Sequence, residues 1–269
     1  MKTKVIAFLM TLLALTGAFA QGNSRTAAAA YTIEVGGSTS VTPLMELLAA
    51  EYSKAKPNIK VNINGTGSGD GINNAGVIYQ IGMSSRELTP AEQGKGLKET
   101  IIAIDGIAVI VNKNNAVKNL TIEQIRNIYT GAVTNWKQVG GKNAPIAVVS
   151  REEGSGTRGA FEELAGFQGK LLAKANQLTS TGAILANVAQ NPDAIGYISL
   201  GSVNDTIKAV SVGGVAANNA NVVSGSYKIA RPFIVLTGKN VHAESTAFIE
   251  WILGADGQKV VSKSWISVK

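Results

Sequence analysis

From Tyr31 onward, short apolar runs alternate with amphipathic stretches. Residues 32–35 and 59–63 alternate as strands, and 43–54 carry helical spacing, with Pro43 suited to a first helical position after Thr42 as cap. Another helix is predicted to begin at 72–75. Thr89-Pro90-Ala91-Glu92 and Thr121-Ile122-Glu123-Gln124 each set a hydroxyl three residues ahead of a Glu or Gln, the spacing of a capping box that opens a helix. Residues 101–112, IIAIDGIAVIVN, are too β-branched for a helix and too apolar for an edge, so they predict a central strand broken by Asp105-Gly106. Beyond it the pattern predicts helices at 121–129, 157–164, 181–190 and 245–253, and strands at 146–150, 196–199 and 231–237. In the last helix Phe248, Ile249, Trp251 and Ile252 should face the core. The Gly-, Asn- and Val-rich stretch 211–226 reads as strand and loop. Strands alternating with helices, with no internal repeat, define an α/β protein.

The first 30 residues break this pattern. A start of Met1-Lys2-Thr3-Lys4, an apolar run over 5–15 and the small-residue site Ala18-Phe19-Ala20 make residues 1–20 a predicted signal peptide. Residues 21–30, polar and then alanine-rich, read as a flexible leader. A membrane span needs about 20 apolar residues, and nothing after residue 20 offers such a run. The mature chain is expected to be exported and soluble, in the periplasm or at the outer face of the cytoplasmic membrane. Leu15-Thr16-Gly17-Ala18 resembles a lipoprotein processing signal, but Ala18 stands where the lipid-bearing cysteine belongs, so no lipid can attach there.

The absence of cysteine removes disulfides, thiolate metal sites and Cys nucleophiles. Residues 1–20 hold Lys2 and Lys4 and no acid, so their removal takes the formal charge from +7 to +5. The lysines are scattered, with no long basic run and no RNA-type aromatic motif, so an anionic small ligand suits this charge better than nucleic acid. At 45% hydrophobic content the chain can bury one large core or two smaller ones.

Four places share one design, in which a strand ends, a Ser/Thr/Gly turn follows and a helix begins. They are Gly36-Gly37-Ser38-Thr39-Ser40, Gly67-Ser68-Gly69-Asp70-Gly71, Ser84-Ser85-Arg86, and Gly154-Ser155-Gly156-Thr157. A helix start exposes unpaired N–H groups and the positive end of the macrodipole, glycine admits close approach, and hydroxyls add donors without charge. Any one such turn is adequately explained as a helix cap. Four in one chain, the last flanked by Arg151 and Arg158, describe an oxyanion site, because the planar guanidinium fork matches a tetrahedral oxyanion. In an open α/β sheet such turns face one crevice at the C-terminal ends of the strands. No turn has the spacing of a nucleotide-binding loop. An enzyme is not indicated: His242 is the one histidine and reads as a surface residue before a helix, Ser155 lacks a nucleophile-elbow context, and the adjacent Glu152 and Glu153 diverge as solvated charges. No cofactor or metal is expected.

The stretches GGSTSVTPLMELLA, NGTGSGDGI, IGMSSREL, AIDGIAVIVN, IYTGAVTNWKQVGG, VVSREEGSGTRGAFEEL and IGYISL, in that order over residues 31 to about 237, resemble the phosphate-binding proteins of bacterial phosphate ABC transporters, the PstS family. The resemblance implies a type II periplasmic-binding-protein fold. Lobe one would comprise 31–106 and 228–269, lobe two 107–227, with inorganic phosphate in the cleft between them. It implies phosphate contacts from Ser38, Thr39, Ser40, Ser68, Ser85, Arg151, Ser155, Gly156 and Thr157. It also implies a monomer that delivers phosphate to a membrane permease. Better-known members carry an aspartate in the third turn that accepts the proton of hydrogen phosphate, and Ser84-Ser85-Arg86 stands there instead. Ser85, Asp70 and Glu153 are the candidate replacements. The alternatives are a receptor of the same fold for sulfate, molybdate or tungstate, a phosphatase-type enzyme, and an adhesin or signalling module that has kept the fold.

Overall fold

The computed structural model describes residues 31–269, so the expected signal peptide and leader lie outside the described residues. In chain order the first elements are β1 (Tyr31–Gly37), α1 (Thr42–Ala55), β2 (Ile59–Gly65), α2 (Ser68–Asn74), β3 (Ile81–Ser84) and α3 (Pro90–Gln93). The 15-residue β4 (Lys98–Asn112) follows. Then come β5 (Asn119–Leu120), α4 (Ile122–Thr130), β6 (Ala147–Arg151), α5 (Gly156–Leu164), β7 (Asn176–Leu178), α6 (Thr181–Gln190), β8 (Ala194–Ser199), β9 (Ile207–Ala209), β10 (Ser211–Val212) and α7 (Asn219–Val223). The chain returns through β11 (Ala230–Thr237), α8 (Ala243–Leu253) and α9 (Ala255–Val261).

The strands run β2-β1-β3-β11-β4-β8-β6-β7, with β9 added on β4. β1 lies parallel to β2 and β3, and β6 parallel to β8 and β7, whereas β11 and β4 run antiparallel to their neighbours. β4 changes partner midway. Up to Gly106 it pairs with β11, and from Ile107 to Val111 with β8. The buried apolar side chains divide at the same place. Ile33, Met83, Ile102, Phe233, Phe248 and Trp265 share one cluster, while Ile107, Val109, Tyr129, Trp136, Phe161 and Tyr197 share another. A smaller layer containing Ala108, Ile110 and Ile184 covers the opposite face of β4 in the second half. This explains why 107–111 is continuously apolar: there the strand is covered on both faces, whereas Ile101 nearer its start is exposed.

Both predicted capping boxes are present, with Thr89 Oγ1 accepting from the Glu92 N–H and Thr121 Oγ1 from the Gln124 N–H. Three expectations are corrected. Thr42 is not a cap: α1 is preceded by Val41, and Thr42 lies inside the first turn with Oγ1 donating to the Ser38 carbonyl at 3.1 Å. α2 begins at Ser68 rather than near residue 72, because Gly67 at φ +103° turns the chain straight from β2 into the helix. The stretch read as strand and loop also contains α7, capped by Asn218. The helix α9 carries no strong start signal and was not foreseen. His242 is exposed, caps α8 through Nδ1 and stacks on Tyr31 with centroids 4.1 Å apart.

Glycines set the depth at which α2 sits. A Cβ on Gly71 would lie 2.6 Å from the Met83 carbonyl oxygen and 2.8 Å from the Gly37 Cα. Backbone therefore packs on backbone, and Ser68 at the head of α2 comes down beside Ser85, the residue after β3. Gly71→Ala should destabilise the fold by about 1–3 kcal/mol, since none of the opposing atoms is a side chain that can swing away. Gly182→Ala, where a Cβ meets nothing within 4 Å, should leave stability unchanged or raise it by about 0.5 kcal/mol. Denaturant unfolding of the two variants against the parent checks the contrast.

Candidate functional site

The four predicted turns meet at one crevice between the two halves. Ser38 Oγ donates to Ser85 Oγ at 2.9 Å, and Ser68 Oγ lies 3.3 Å from the same Ser85 oxygen. Across the crevice, Thr157 Oγ1 of the other half lies 2.7 Å from Ser40 Oγ. Gly156 presses so closely that a Cβ there would be 2.3 Å from Ser68 Oγ and 2.8 Å from Ser85 Oγ. Ser155 caps α5, its Oγ accepting from the Arg158 N–H, which leaves the hydroxyl proton free to be donated. Ser38, Ser40, Ser68, Ser85, Ser155 and Thr157 are all buried, and Thr39 is half-buried.

A further member was missed from sequence. Thr181 Oγ1 lies 3.1 Å from Ser40 Oγ and 3.3 Å from Thr39 Oγ1. Its triplet Ser180-Thr181-Gly182 opens α6, with Ser180 as cap, so it carries the same strand-turn-helix signal as the other four turns.

Arg151 is the last residue of β6 and is buried. Its Nε and Nη2 donate to both oxygens of Glu152 at 2.9 and 2.8 Å, and to the carbonyls of Leu178 and Thr179. Among the described residues no acceptor lies on Nη1. Beneath it, Tyr197 bonds Ser150 Oγ at 2.8 Å and accepts the Arg151 N–H at 3.2 Å. Burial pushes the Tyr197 hydroxyl up to about 12, so it stays neutral.

Two charges read as part of the turn, or as solvated, take other roles. Arg158 turns away, with Nε on Glu162 and Nη1 on the Arg151 carbonyl, so it braces α5 against β6. Glu152, expected to be solvated, forms the bidentate partner of Arg151, while Glu153 is exposed as expected. Asp70, a candidate proton acceptor, is committed elsewhere. It accepts from Thr66, Asn74 and Tyr79, and the Thr66 hydrogen bond leads the lowering of its carboxyl below the usual range, against the effect of burial.

The third turn is clamped from behind. Arg86 reaches both oxygens of Glu92 at 2.7 and 2.9 Å, and Glu92 also accepts the Thr89 N–H. The Arg86 hydrogen bonds, opposed by burial and assisted by Thr89, bring the Glu92 carboxyl down to about 2. Deeper still lies a buried ion pair: Arg231 Nη2 is 3.1 Å from Asp105 Oδ2, and Arg231 Nη1 donates to the Ser85 carbonyl at 3.1 Å. The sequence places Asp105 in the central apolar strand and Arg231 at the start of the strand 231–237, without indicating that they pair.

Chemically the crevice is a ring of hydroxyls together with the N–H groups of Thr39, Gly156 and Thr157, which have no protein acceptor among the described residues. One guanidinium stands beside it. Donors without an accompanying free carboxylate suit a compact oxyanion. Among the described residues no group of His, Asp and Glu is arranged to hold a metal ion, and no helix is long and apolar enough to cross a membrane.

Residues 22–256 match the model of the PBP superfamily domain, and the chain belongs to that superfamily, with its two-lobed α/β architecture. Over 244 residues it is 32% identical to the phosphate-binding protein PstS of Borreliella burgdorferi, covering 86% of this chain and 88% of that one. Within the superfamily it is a member of the PstS family of phosphate-binding proteins. The fold also superposes on a Clostridium perfringens substrate-binding protein with bound phosphate, at 47% identity and TM-score 0.87, covering 88% of this chain and 100% of that chain. An ABC-type phosphate transport receptor from Vibrio cholerae is similar at 36% identity and TM-score 0.73, over 88% of this chain and 99% of that chain.

The clamp on the third turn has a pH signature. The fold prefers ionised Glu92, so its stabilisation is complete above the ordinary value of 4.5 and is lost as acid protonates it on the way down through about 2. Glu92→Gln should be less stable than the parent at pH 6, and its melting temperature should fall less steeply between pH 5 and pH 2. Thermal melts across that range measure the difference.

Proposed function

We propose that the chain is a non-enzymatic, extracytoplasmic receptor for inorganic phosphate that acts as a monomer and hands its ligand to the membrane permease of an ABC transporter. The observation that carries the reading is the convergence of buried hydroxyls and unpaired helix-start N–H groups beside Arg151, supported by a phosphate-bound structural relative at 47% identity. Lobe one is 31–106 with 228–269 and lobe two is 107–227. The first carries Ser38, Thr39, Ser40, Ser68 and Ser85. The second brings Arg151, Ser155, Gly156, Thr157 and, added from the structure, Thr181.

In this reading the helix-start amides and hydroxyls replace the hydration shell of the anion, and Arg151 supplies the charge-assisted bond. Glu152 orients the guanidinium and offsets part of its charge, so much of the binding rests on neutral donors. Selectivity is the unusual feature. With Asp70 engaged by three donors and Glu153 exposed to solvent, Ser85 is left of the three candidates as the acceptor for a phosphate proton in the third turn. A hydroxyl both donates and accepts, so it does not repel the bare oxygen of sulfate as an ionised carboxylate would.

Calorimetric titration of the chain with phosphate, sulfate and molybdate tests the reading. Phosphate should bind one to one and most tightly. Tighter binding of another oxyanion would reassign the ligand, and no binding of any would remove the receptor function. Arg151→Ala should cost about 2–5 kcal/mol of phosphate binding, with Arg151→Lys recovering part. In the same titrations Ser85→Asp should raise the ratio of phosphate to sulfate affinity.

Closure gives an independent check. A methyl on Gly156 would overlap Ser68 and Ser85 across the crevice, so Gly156→Ala should hold the lobes apart. Small-angle scattering should show the parent growing more compact with phosphate while Gly156→Ala does not.

A further inference from the structure

The Asp105–Arg231 pair lies behind the Ser85 turn, its guanidinium donating to the Ser85 carbonyl and to Asp105. Asp105 is 1% exposed and Arg231 4%, so both charges are held out of water. Burying such a pair contributes little net stability, because the desolvation penalty consumes most of the attraction, and apolar side chains of similar volume would pack as well. Its contacts suggest what it does instead.

Arg231 sits on β11 and donates in two directions. Nε and Nη2 reach Asp105 Oδ2 at 3.3 and 3.1 Å, while Nη1 reaches the Ser85 carbonyl, the backbone of the turn whose hydroxyl meets Ser38 and Ser68. Asp105 sits on β4 one residue before Gly106, where the strand exchanges β11 for β8. Its other oxygen, Oδ1, accepts from Ser199 Oγ at 2.7 Å, and Ser199 ends β8 in the second half. The Trp265 indole N–H in turn donates to Ser199 Oγ at 3.4 Å, and Trp265 belongs to the core of the first half. One unbroken polar chain therefore runs from the Ser85 turn through Arg231 and Asp105 to Ser199 and Trp265, at the place where the two halves exchange strands.

We propose that Arg231 and Asp105 are a positioning pair that couples occupation of the Ser85 turn to the angle between the lobes. The inference rests on the phosphate reading of the crevice. A shift of the Ser85 backbone toward a bound anion moves the carbonyl that Arg231 holds. Asp105 transmits that displacement to Ser199, because one carboxylate cannot keep both partners unless the two halves settle into a single relative setting. The reverse also holds: an open hinge pulls on Asp105 and loosens the support beneath Ser85. Affinity then depends on residues that never touch the ligand.

The test uses the full chain labelled with fluorinated tryptophan, with inorganic phosphate as titrant, and compares the parent, Arg231→Gln and Ser199→Ala. The Trp265 fluorine resonance, assigned from Trp265→Phe, should move when phosphate saturates the parent. Arg231→Gln should weaken phosphate binding by about tenfold or more and abolish the phosphate-driven movement of that resonance. Ser199→Ala, which keeps the ion pair but removes both its tie to the second half and the acceptor of the Trp265 indole, should weaken binding by about threefold or more and also abolish the movement. A variant that binds phosphate as the parent does, with the Trp265 resonance moving as before, overturns the proposal. A weakened Arg231→Gln whose resonance still moves reduces Arg231 to local support and overturns the coupling. Should Arg231→Gln not unfold cooperatively, Ser199→Ala decides alone by the same two readouts. Failure of the parent itself to bind phosphate refutes the ligand reading, whereas parent binding with unaffected variants refutes only the coupling.

Discussion

A single strand has to belong to two cores at once, and the rest of the molecule is arranged around that requirement. β4 is paired with β11 on one side of Gly106 and with β8 on the other, and each half of it is buried by a different set of apolar side chains. Gly106 leaves room for Val222 and Leu200, which would crowd a Cβ at 3.1 and 3.2 Å. Each half can then close its own parallel strands and lay its helices over them without reference to the other. The C-terminal ends of β1, β3 and β6 bring their turns to the shared crevice, so the site is a product of strand order more than of any one loop.

The crevice itself is costly to build. A buried hydroxyl or amide without a partner loses about 1–3 kcal/mol relative to water, and this site gathers many of them. The protein limits the cost by letting hydroxyls bond one another, Ser40 with Thr157 across the gap and Ser38 with Ser85 within the first half. It also supports each turn from outside. Arg86 and Glu92 clamp the third, Tyr197 and Glu152 hold Arg151, and the contact of Gly71 with the Gly37 and Met83 backbone fixes the second. Rigid supports behind rotatable donors keep the ring preorganised.

Much of this was legible in the sequence because it is local. The two capping boxes, the continuous apolar strand and the Ser/Thr/Gly turns before helices each follow from residues within a few positions of one another, and the structure brings all four turns together. Where inference stopped, the determining contact was distant or its signal was weak. α2 starts early because of the dihedral angle of Gly67, and its seat depends on a backbone at Met83. Thr181 carried a readable Ser-Thr-Gly signal that was left out of the set. Glu152 and Arg158 were assigned by proximity, yet their partners are chosen by the geometry of β6 and α5. The Asp105–Arg231 pair joins residues 126 positions apart, and no periodicity links a lone acid in an apolar strand to an arginine in another.

The seam between the lobes at the crevice has a consequence for turnover. It is stitched by hydroxyl pairs such as Ser40 with Thr157 and Thr39 with Thr181, and by one backbone bond from the Gly69 N–H to the Gly154 carbonyl at 2.9 Å. Each stitch is worth only about 0.5–1.5 kcal/mol, and all of them can be exchanged for water. A greasy seam would hold the jaws shut regardless of cargo. A seam of small alcohols adheres weakly by itself, so the dwell time of the shut form is governed by what lies inside it, and whatever pries the lobes apart has to break only a handful of short, replaceable bonds.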